Sequence, residues 1–468
     1  MPRKPKAQLS RPLFAEPVFA EGVPTPDPSQ FTVTPDDSAD YTKQVNALLN
    51  TEVVSFPQAG GKPGDLFSLE TAWGPNGPAV IQSINTAQSI TFHMIGDSGA
   101  TAQSTFPAMI KVSDAVTNDF HSASAANRPS FLFHLGDLVY NFGESAYYYD
   151  EFYEPYRNYP APIFAIPGNH DSFVLPNTPK GSEPLTIFQR NFCSATPTVT
   201  VEAGSLHRTS MTQPGVYFAL DAPYVRIIGL FSNALEDPGV ISSQTSISAT
   251  KSKKATKTKK ENSTSGGTPS WPVVPDYQLA FLTAQLQNIK SQNYQGAVIL
   301  AVHHPPFIYS PPGGGSGGGT HYGSPFMLAD IDTVCKNVGV YPHAVISGHA
   351  HNYQRYTRKL QFNGRSYSVP FVICGDGGHN VDKLVKSSFG KQTPEPGDNI
   401  DVSYMDTGTI VQSTGLTLNK HDDQNSGFLR VQVSASSLTI TFNPVAKSGT
   451  APKPDTVTVN LAARTVVA

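Results

Sequence analysis

The chain has 468 residues, a formal net charge of −3 and 15% charged residues. That length suits one large α/β unit with extensions, and the modest charge argues against a general nucleic-acid-binding surface. No apolar run reaches the ~18 residues of a membrane span, and Cys193, Cys335 and Cys374 lie too far apart for a disulfide framework or zinc module, leaving one bridge at most.

In chain order, residues 1–38 are rich in proline and polar residues and read as an extended or disordered arm. Met1–Lys6 is basic, as the start of a signal peptide would be. The stretch Leu9–Glu16 is broken by charge and proline, so no apolar signal core follows. The expected location is therefore cytoplasmic or otherwise unexported, with secretion as the alternative. Ala39–Asn50 predicts a short helix with Val45, Leu48 and Leu49 on one face. Residues 39–88 form an N-terminal extension expected to pack on the core. The main domain is expected over 89–445, with residues 446–468 as a C-terminal tail.

Inside that domain, Thr101–Phe120 reads as a helix. So does Glu144–Arg157, where Tyr148, Phe152 and Tyr156 repeat at helical spacing and read as a core face rather than a substrate platform. Residues 240–270 are dominated by Ser, Thr and Lys, with Lys251–Lys260 the most basic part, and read as a solvated, flexible insertion. Asn262-Ser263-Thr264 within it is a glycosylation sequon, meaningful only on a eukaryotic secretory path. Pro275–Lys290 predicts an amphipathic helix with Leu279, Leu282, Leu286 and Ile289 inward. Pro311–Gly319 is a glycine loop with no following Lys-Ser/Thr, so it is not a phosphate-cradling P-loop, and it is expected to form a mobile lip over the site. Gly427–Val433 and Leu438–Phe442 read as a hairpin.

The chemistry sits at the ends of short apolar runs. Ser89–Ile95 leads into Gly96-Asp97, Phe131–Leu135 into Gly136-Asp137-Leu138-Val139-Tyr140, and Ile163–Ile166 into Gly168-Asn169-His170-Asp171. Ala297–Val302 leads into His303-His304-Pro305, and Ala344–Ile346 into Gly348-His349-Ala350-His351. Each run reads as a buried strand, and open α/β sheets gather ligands beyond the C-terminal ends of their strands. Asp97, Asp137, Tyr140, Asn169, His303, His349 and His351 would converge there on two metal ions. A lone Gly-Asp pair is usually only a turn, and Gly64-Asp65 and Gly375-Asp376 are read that way. His349 and His351 share a side of an extended segment. Of His303 and His304 one is read as a ligand and the other as structural or behind it, and the H-x-P pattern favours His303. His93, His121, His134, His207, His343 and His379 are read as structural or solvated.

The order of these blocks resembles the calcineurin-like metallophosphoesterase superfamily, whose motifs run D-x-H or D-x-G, GD, GNH[DE], H and GHxH over roughly residues 90–445. One departure narrows the resemblance. The common Asp-x-His is here Asp97-Ser98-Gly99, and a tyrosine appears at Tyr140, the pattern of purple acid phosphatases of the small, tartrate-resistant type. The implied fold is α/β, the four-layer metallophosphoesterase fold with two mixed β-sheets packed face to face and flanking helices. Gly375-Asp376-Gly377-Gly378-His379 resembles the glycine turn after GHxH, with a structural role implied.

Asp137 is the expected bridging carboxylate. One ion, Fe3+, is expected on Asp97, Asp137, Tyr140 and His351, because phenolate and carboxylate suit a hard cation. The other, Zn2+, Fe2+ or Mn2+, is expected on Asp137, Asn169, His303 and His349. A metal-bound water or hydroxide would be the nucleophile. The resemblance implies that His170 contacts the phosphate or protonates the leaving oxygen. Asp171 is expected to orient His170, and Asn169, His304 and His321 to contact substrate.

The expected function is a metal-dependent acid phosphatase acting on small-molecule phosphomonoesters. A phosphodiesterase acting on cyclic nucleotides or nucleotide-linked substrates is the alternative within enzymes. A non-catalytic binding protein on a phosphatase fold is the alternative of another class. Neither a nucleic-acid partner nor an oligomeric state is indicated.

Overall fold

The computed structural model describes residues 61–100, 104–140, 142–172, 185–232, 239–242, 276–309, 321, 323–384, 397, 411, 413–450 and 452–467. The arm over 1–38, the Ala39–Asn50 helix, almost all of the 240–270 insertion and the Pro311–Gly319 loop lie outside these residues.

Two sheets carry the described chain. The larger contains β1 (Phe67–Ser68), β5 (Phe218–Ala222), β6 (Val225–Leu230), β7 (Ala297–Val302), β8 (Ala344–Ser347), β9 (Tyr353–Phe362), β10 (Arg365–Cys374) and β11 (Ser413–Asp422), in the order β1-β5-β6-β7-β8-β10-β9-β11. The smaller contains β2 (Ser89–Ile95), β3 (Leu132–His134), β4 (Ile163–Ala165), β12 (Ser426–Ser434), β13 (Ser437–Val445), β14 (Asp455–Asn460) and β15 (Thr465–Val467), in the order β15-β14-β13-β12-β2-β3-β4. Both mix parallel and antiparallel pairs: β2, β3 and β4 run parallel, as do β6, β7 and β8, while the hairpins are antiparallel.

The sheets pack face to face through aromatic rings. Phe133 on β3 stacks on Phe218 of β5 at 5.8 Å, Phe164 on β4 meets Phe67 of β1 edge-on at 5.9 Å, and Tyr353 on β9 lies parallel to Phe442 of β13 at 4.0 Å. Such pairs add about 0.5–1.5 kcal/mol beyond the area they bury. The parallel strands are buried along nearly their whole length, which explains why they read as continuous apolar runs rather than alternating ones. Helices cover the outer faces. Phe106–Ser122 lies on β12 and β13, and Tyr277–Ser291 packs beside Pro325–Val338. The Pro325–Val338 helix is tied to β9 by a buried bidentate pair, Arg358 to Asp332 at 3.0 and 2.8 Å, with the Tyr341 hydroxyl 2.9 Å from the same carboxylate.

Two expectations change and a third gains detail. The tail beyond residue 445 belongs to the domain, because β14 and β15 extend the smaller sheet from β13. The Thr-Val alternation of β14 is that of a half-buried antiparallel strand, less conspicuous than the continuous apolar runs of the buried parallel strands. At the other end, Phe67–Ser68 pairs with β5, so the extension supplies an edge strand. The Glu144–Arg157 segment is not a regular helix. A 3-10 turn, Ser145–Tyr147, gives way to a π-helical turn, Tyr149–Tyr153, closed by the Glu154 N–H donating to Tyr149 O at 2.8 Å. Tyr148, Phe152 and Tyr156 are buried as a core face, while the widened turn also directs Glu151 inward.

One buried histidine gives the fold a pH signature. His134 Nδ1 accepts the Gly136 N–H at 3.2 Å, so Nε2 carries the proton and donates to Ser98 Oγ at 2.8 Å. Burial, only partly offset by the Asp137 carboxylate, lowers this imidazole to about 3. The folded state therefore resists a proton that the unfolded chain accepts near the ordinary value of about 6.5. The contribution is complete above that value and is lost as pH falls from there toward about 3. Urea titrations with chelator present should show stability declining between neutral pH and about pH 4.5. The decline should be shallower in His134→Gln, and equal slopes would contradict the account.

Candidate metal centre

Five parallel strands from the two sheets end at one place. β2, β3 and β4 deliver the loops of Asp97, Asp137 and Asn169, and β7 and β8 deliver those of His303 and His349. The loops are stitched together by backbone. Asp97 N–H donates to Gly136 O at 2.9 Å, Ser98 N–H to Asp137 O at 3.1 Å, and Gly348 N–H to His303 O at 2.9 Å. Gly96 N–H crosses between the sheets to Cys374 O at 3.1 Å. Asp97, Asp137 and His349 all have left-handed backbone, with φ of 56°, 54° and 65°. This conformation costs non-glycine residues about 1–3 kcal/mol each and clusters at functional sites.

The side chains form two adjoining groups. In the first, Tyr140 Oη lies 3.4 Å from Asp97 Oδ1, 3.4 Å from Asp137 Oδ2 and 3.3 Å from His351 Nε2, and His351 Nε2 is 3.5 Å from Asp97 Oδ1. In the second, His303 Nε2 lies 3.1 Å from Asp137 Oδ2 and 3.0 Å from Asn169 Oδ1, and His349 Nδ1 is 3.1 Å from Asn169 Oδ1. Asp137 Oδ2 belongs to both groups. Ligands bonded at about 2.0–2.2 Å to one ion sit roughly 3.0–3.5 Å apart, so both spacings match a shared cation.

The donor chemistry fits a cation as well. His303 Nδ1 is 2.9 Å from Leu135 O, a carbonyl that can only accept, so Nδ1 carries a proton and the neutral ring presents a lone pair at Nε2. That lone pair faces Asn169 Oδ1 and Asp137, both acceptors. Acceptors aimed at one another in a buried space are stabilised by a positive charge between them. Without an ion the charge is a proton. Burial pushes His303 down, but the Asp137 and Asp97 carboxylates reverse this and raise it to about 9. Burial likewise opposes ionisation of Asp137, yet His303 and His170 outweigh it and hold that carboxyl well below the usual range. All of these side chains are buried.

Neighbouring residues fix the loops. Asp171 accepts the N–H groups of Leu138 at 3.1 Å, Val139 at 3.2 Å and Gly168 at 3.0 Å, so its carboxylate ties the second motif loop to the third. Its contact with loop amides was not foreseen from its position beside His170. Asp137 Oδ1 accepts the His170 N–H at 2.9 Å, and any side chain at Gly168 would overlap that oxygen. His304 is turned away from the first group, with Nδ1 2.6 Å from Ser232 Oγ and its ring 4.1 Å from that of His349. His321 is buried, its ring 4.2 Å from His349 and 4.9 Å from His351. Of the residues expected to bind substrate, Asn169, His170, His304 and His321 therefore all border the two groups.

Tyr140 explains the altered first motif. A side chain at Gly99 would overlap the Glu151 carboxylate and come within 2.7 Å of the Tyr140 ring, so an imidazole at position 99 and this tyrosine cannot both be seated. Glu151 Oε2 accepts the Tyr140 N–H at 2.9 Å from the π-helical turn. His379, read from sequence as structural or solvated, lies at the site, its ring parallel to that of Tyr140 within 5° at 4.2 Å. Asp382 Oδ2 approaches His351 Nδ1 at 3.9 Å, and its N–H donates to His351 O at 2.8 Å. Glu151, His379 and Asp382 carried no readable motif. Only the glycine turn at 375–379 hinted at His379.

A profile of the calcineurin-like phosphoesterase family, "Metallophos", matches residues 90–353, more than half of the chain. No curated protein matches significantly. Among solved structures, one described as "Structure of PhoD" aligns with a TM-score of 0.42 and 12% identity, over 80% of this chain and 70% of that one. No helix among the described residues is long and apolar enough to cross a membrane. The chain belongs to the calcineurin-like phosphoesterase family, whose members are metal-dependent phosphoesterases.

Proposed function

We propose that this phosphoesterase is a phosphomonoesterase of the purple acid phosphatase type, working on small-molecule phosphoesters. The observation that carries this reading is Tyr140 Oη, set 3.3–3.4 Å from Asp97, Asp137 and His351 in a chain where position 99 is glycine and a side chain there would overlap Glu151 and the Tyr140 ring. A phenolate with two carboxylates makes a hard, anionic oxygen set suited to Fe3+. Asn169, His303 and His349, sharing Asp137, make a softer set suited to Zn2+, Fe2+ or Mn2+. When bound, such a pair of ions polarises the phosphoryl group and activates the attacking water.

The chain's own groups do the rest. Asp137 stays ionised beside its imidazoles and spans both sets. His170 stands next to the pair, with Nε2 3.9 Å from Asp137 Oδ2 and its ring 4.2 Å from that of Tyr140. An imidazole there can hydrogen-bond the phosphate or give a proton to the departing oxygen. Asn169, His304 and His321 line the approach to the second set and contact the bound phosphate. Asp171 keeps the loop that bears His170 in register through its backbone bonds.

Three measurements test the reading. Steady-state assays with 4-nitrophenyl phosphate and bis(4-nitrophenyl) phosphate should give kcat/KM higher for the monoester by about tenfold or more; the reverse order would make the enzyme a diesterase. His170→Asn should lower kcat on an alkyl phosphate by about 10²–10⁴-fold and on a nitrophenyl ester by much less, because a good leaving group needs no proton. Equal losses would deny His170 the acid role. Finally, phenolate bound to Fe3+ absorbs visible light, so iron-loaded protein should be coloured and Tyr140→Phe bleached while still folded. A colourless, fully active protein holding two other metals would remove the purple assignment.

A further inference from the structure

Within its own loop the Tyr140 hydroxyl lies 3.4 Å from Asp137 Oδ2, and its ring is held by groups from elsewhere in the chain. Glu151 holds only its backbone N–H. The phenol ring is flanked by two imidazoles, His170 with centroids 4.2 Å apart and tilted by 38°, and His379 with centroids 4.2 Å apart and parallel within 5°. His379 arrives from the glycine turn after β10, far along the chain from both first loops. It is 2% exposed.

The attachments of His379 explain its orientation. Its backbone N–H donates to Asp97 O at 3.1 Å, and its Nδ1 lies 3.1 Å from Gly99 O. A carbonyl can only accept, so Nδ1 carries the proton and the ring is fixed in plane and in tautomer. One residue thus grips the first motif loop at both ends and lays a flat face on Tyr140 of the second. The edge of His351 also meets it, with centroids 4.3 Å apart at 64°. Two residues of the first group, Tyr140 and His351, therefore touch the His379 ring, and a third, Asp97, accepts its backbone N–H.

We propose that His379 is a positioning residue that aligns the Tyr140 phenol as an oxygen ligand. Position 99 supplies no imidazole to bind an ion; the fold imports one from another loop and uses its face to orient a phenolate instead. The inference rests on Tyr140 being a ligand. Residues that orient metal ligands without touching the ion typically change metal affinity by about 10–100-fold when replaced.

Two substitutions separate the face from the hydrogen bond. His379→Asn keeps an N–H donor toward Gly99 O but removes the ring, and His379→Phe keeps the ring and removes the donor. Both are made in the full chain, loaded with iron and zinc, and checked for folding by circular dichroism. The readouts are the visible band and the chelator concentration that strips iron. His379→Asn should shift or bleach the band and ease iron loss by about 10–100-fold, and His379→Phe should keep the band near its wild-type position. A folded His379→Asn variant with wild-type colour and iron retention overturns the proposal. So does loss of the band in His379→Phe, which decides the matter even should the Asn variant fold poorly. Iron-bound wild type without any visible band would instead remove the ligand role of Tyr140, and this inference with it.

Discussion

Acceptors facing one another in a buried space are the constraint that shapes everything else in this structure. Asp97, Asp137, Asn169 and the facing ring nitrogens of His303, His349 and His351 lie 3.0–3.5 Å from their neighbours in a buried space. Left alone, such a group is repulsive, and protons or metal ions must supply the missing positive charge. The chain accepts left-handed backbone at three of these residues and holds their loops by amide hydrogen bonds to do so. That cost is offset by the two sheets behind the loops, which pack on one another through aromatic rings.

The architecture divides the labour between the sheets. Parallel strands place their C-terminal loops side by side, so β2 and β3 present the carboxylates and the phenol and β4 presents the Asn169 amide, while β7 and β8 present imidazoles from across the interface. The shared oxygen of Asp137 lies where the two contributions meet. Both groups arise from the packing of one sheet on the other: the first draws Asp97, Asp137 and Tyr140 from the smaller sheet and His351 from the larger, and the second draws two residues from each.

Around Tyr140 the packing is more particular. Glycine at 99 clears the space, the π-helical turn turns Glu151 inward to the Tyr140 amide, and two imidazoles flank the ring. None of these partners is close in sequence to all the others. Glu151 was hidden because its segment repeats aromatics at helical spacing, which predicts a core face and says nothing of a carboxylate pointing inward through a widened turn. His379 was hidden because a Gly-Gly-His turn is chemically silent until its neighbours are known. Asp171 was visible as a residue beside His170, whereas its bonds to three loop amides depend on how two loops meet.

Local sequence was enough to define the buried strands, the loops after them and the residue types those loops carry. A continuous apolar run must be buried, and the residues just beyond it must lie at a sheet edge. Hence Ser89–Ile95 and Ala297–Val302 were legible to the residue. The β14–β15 addition and the position of His379 emerged only when the chain was folded. So did the exclusion of an imidazole at position 99 by Tyr140 and Glu151. Each depends on distances between segments separated by tens to hundreds of residues, and hydrophobic periodicity holds no record of such distances.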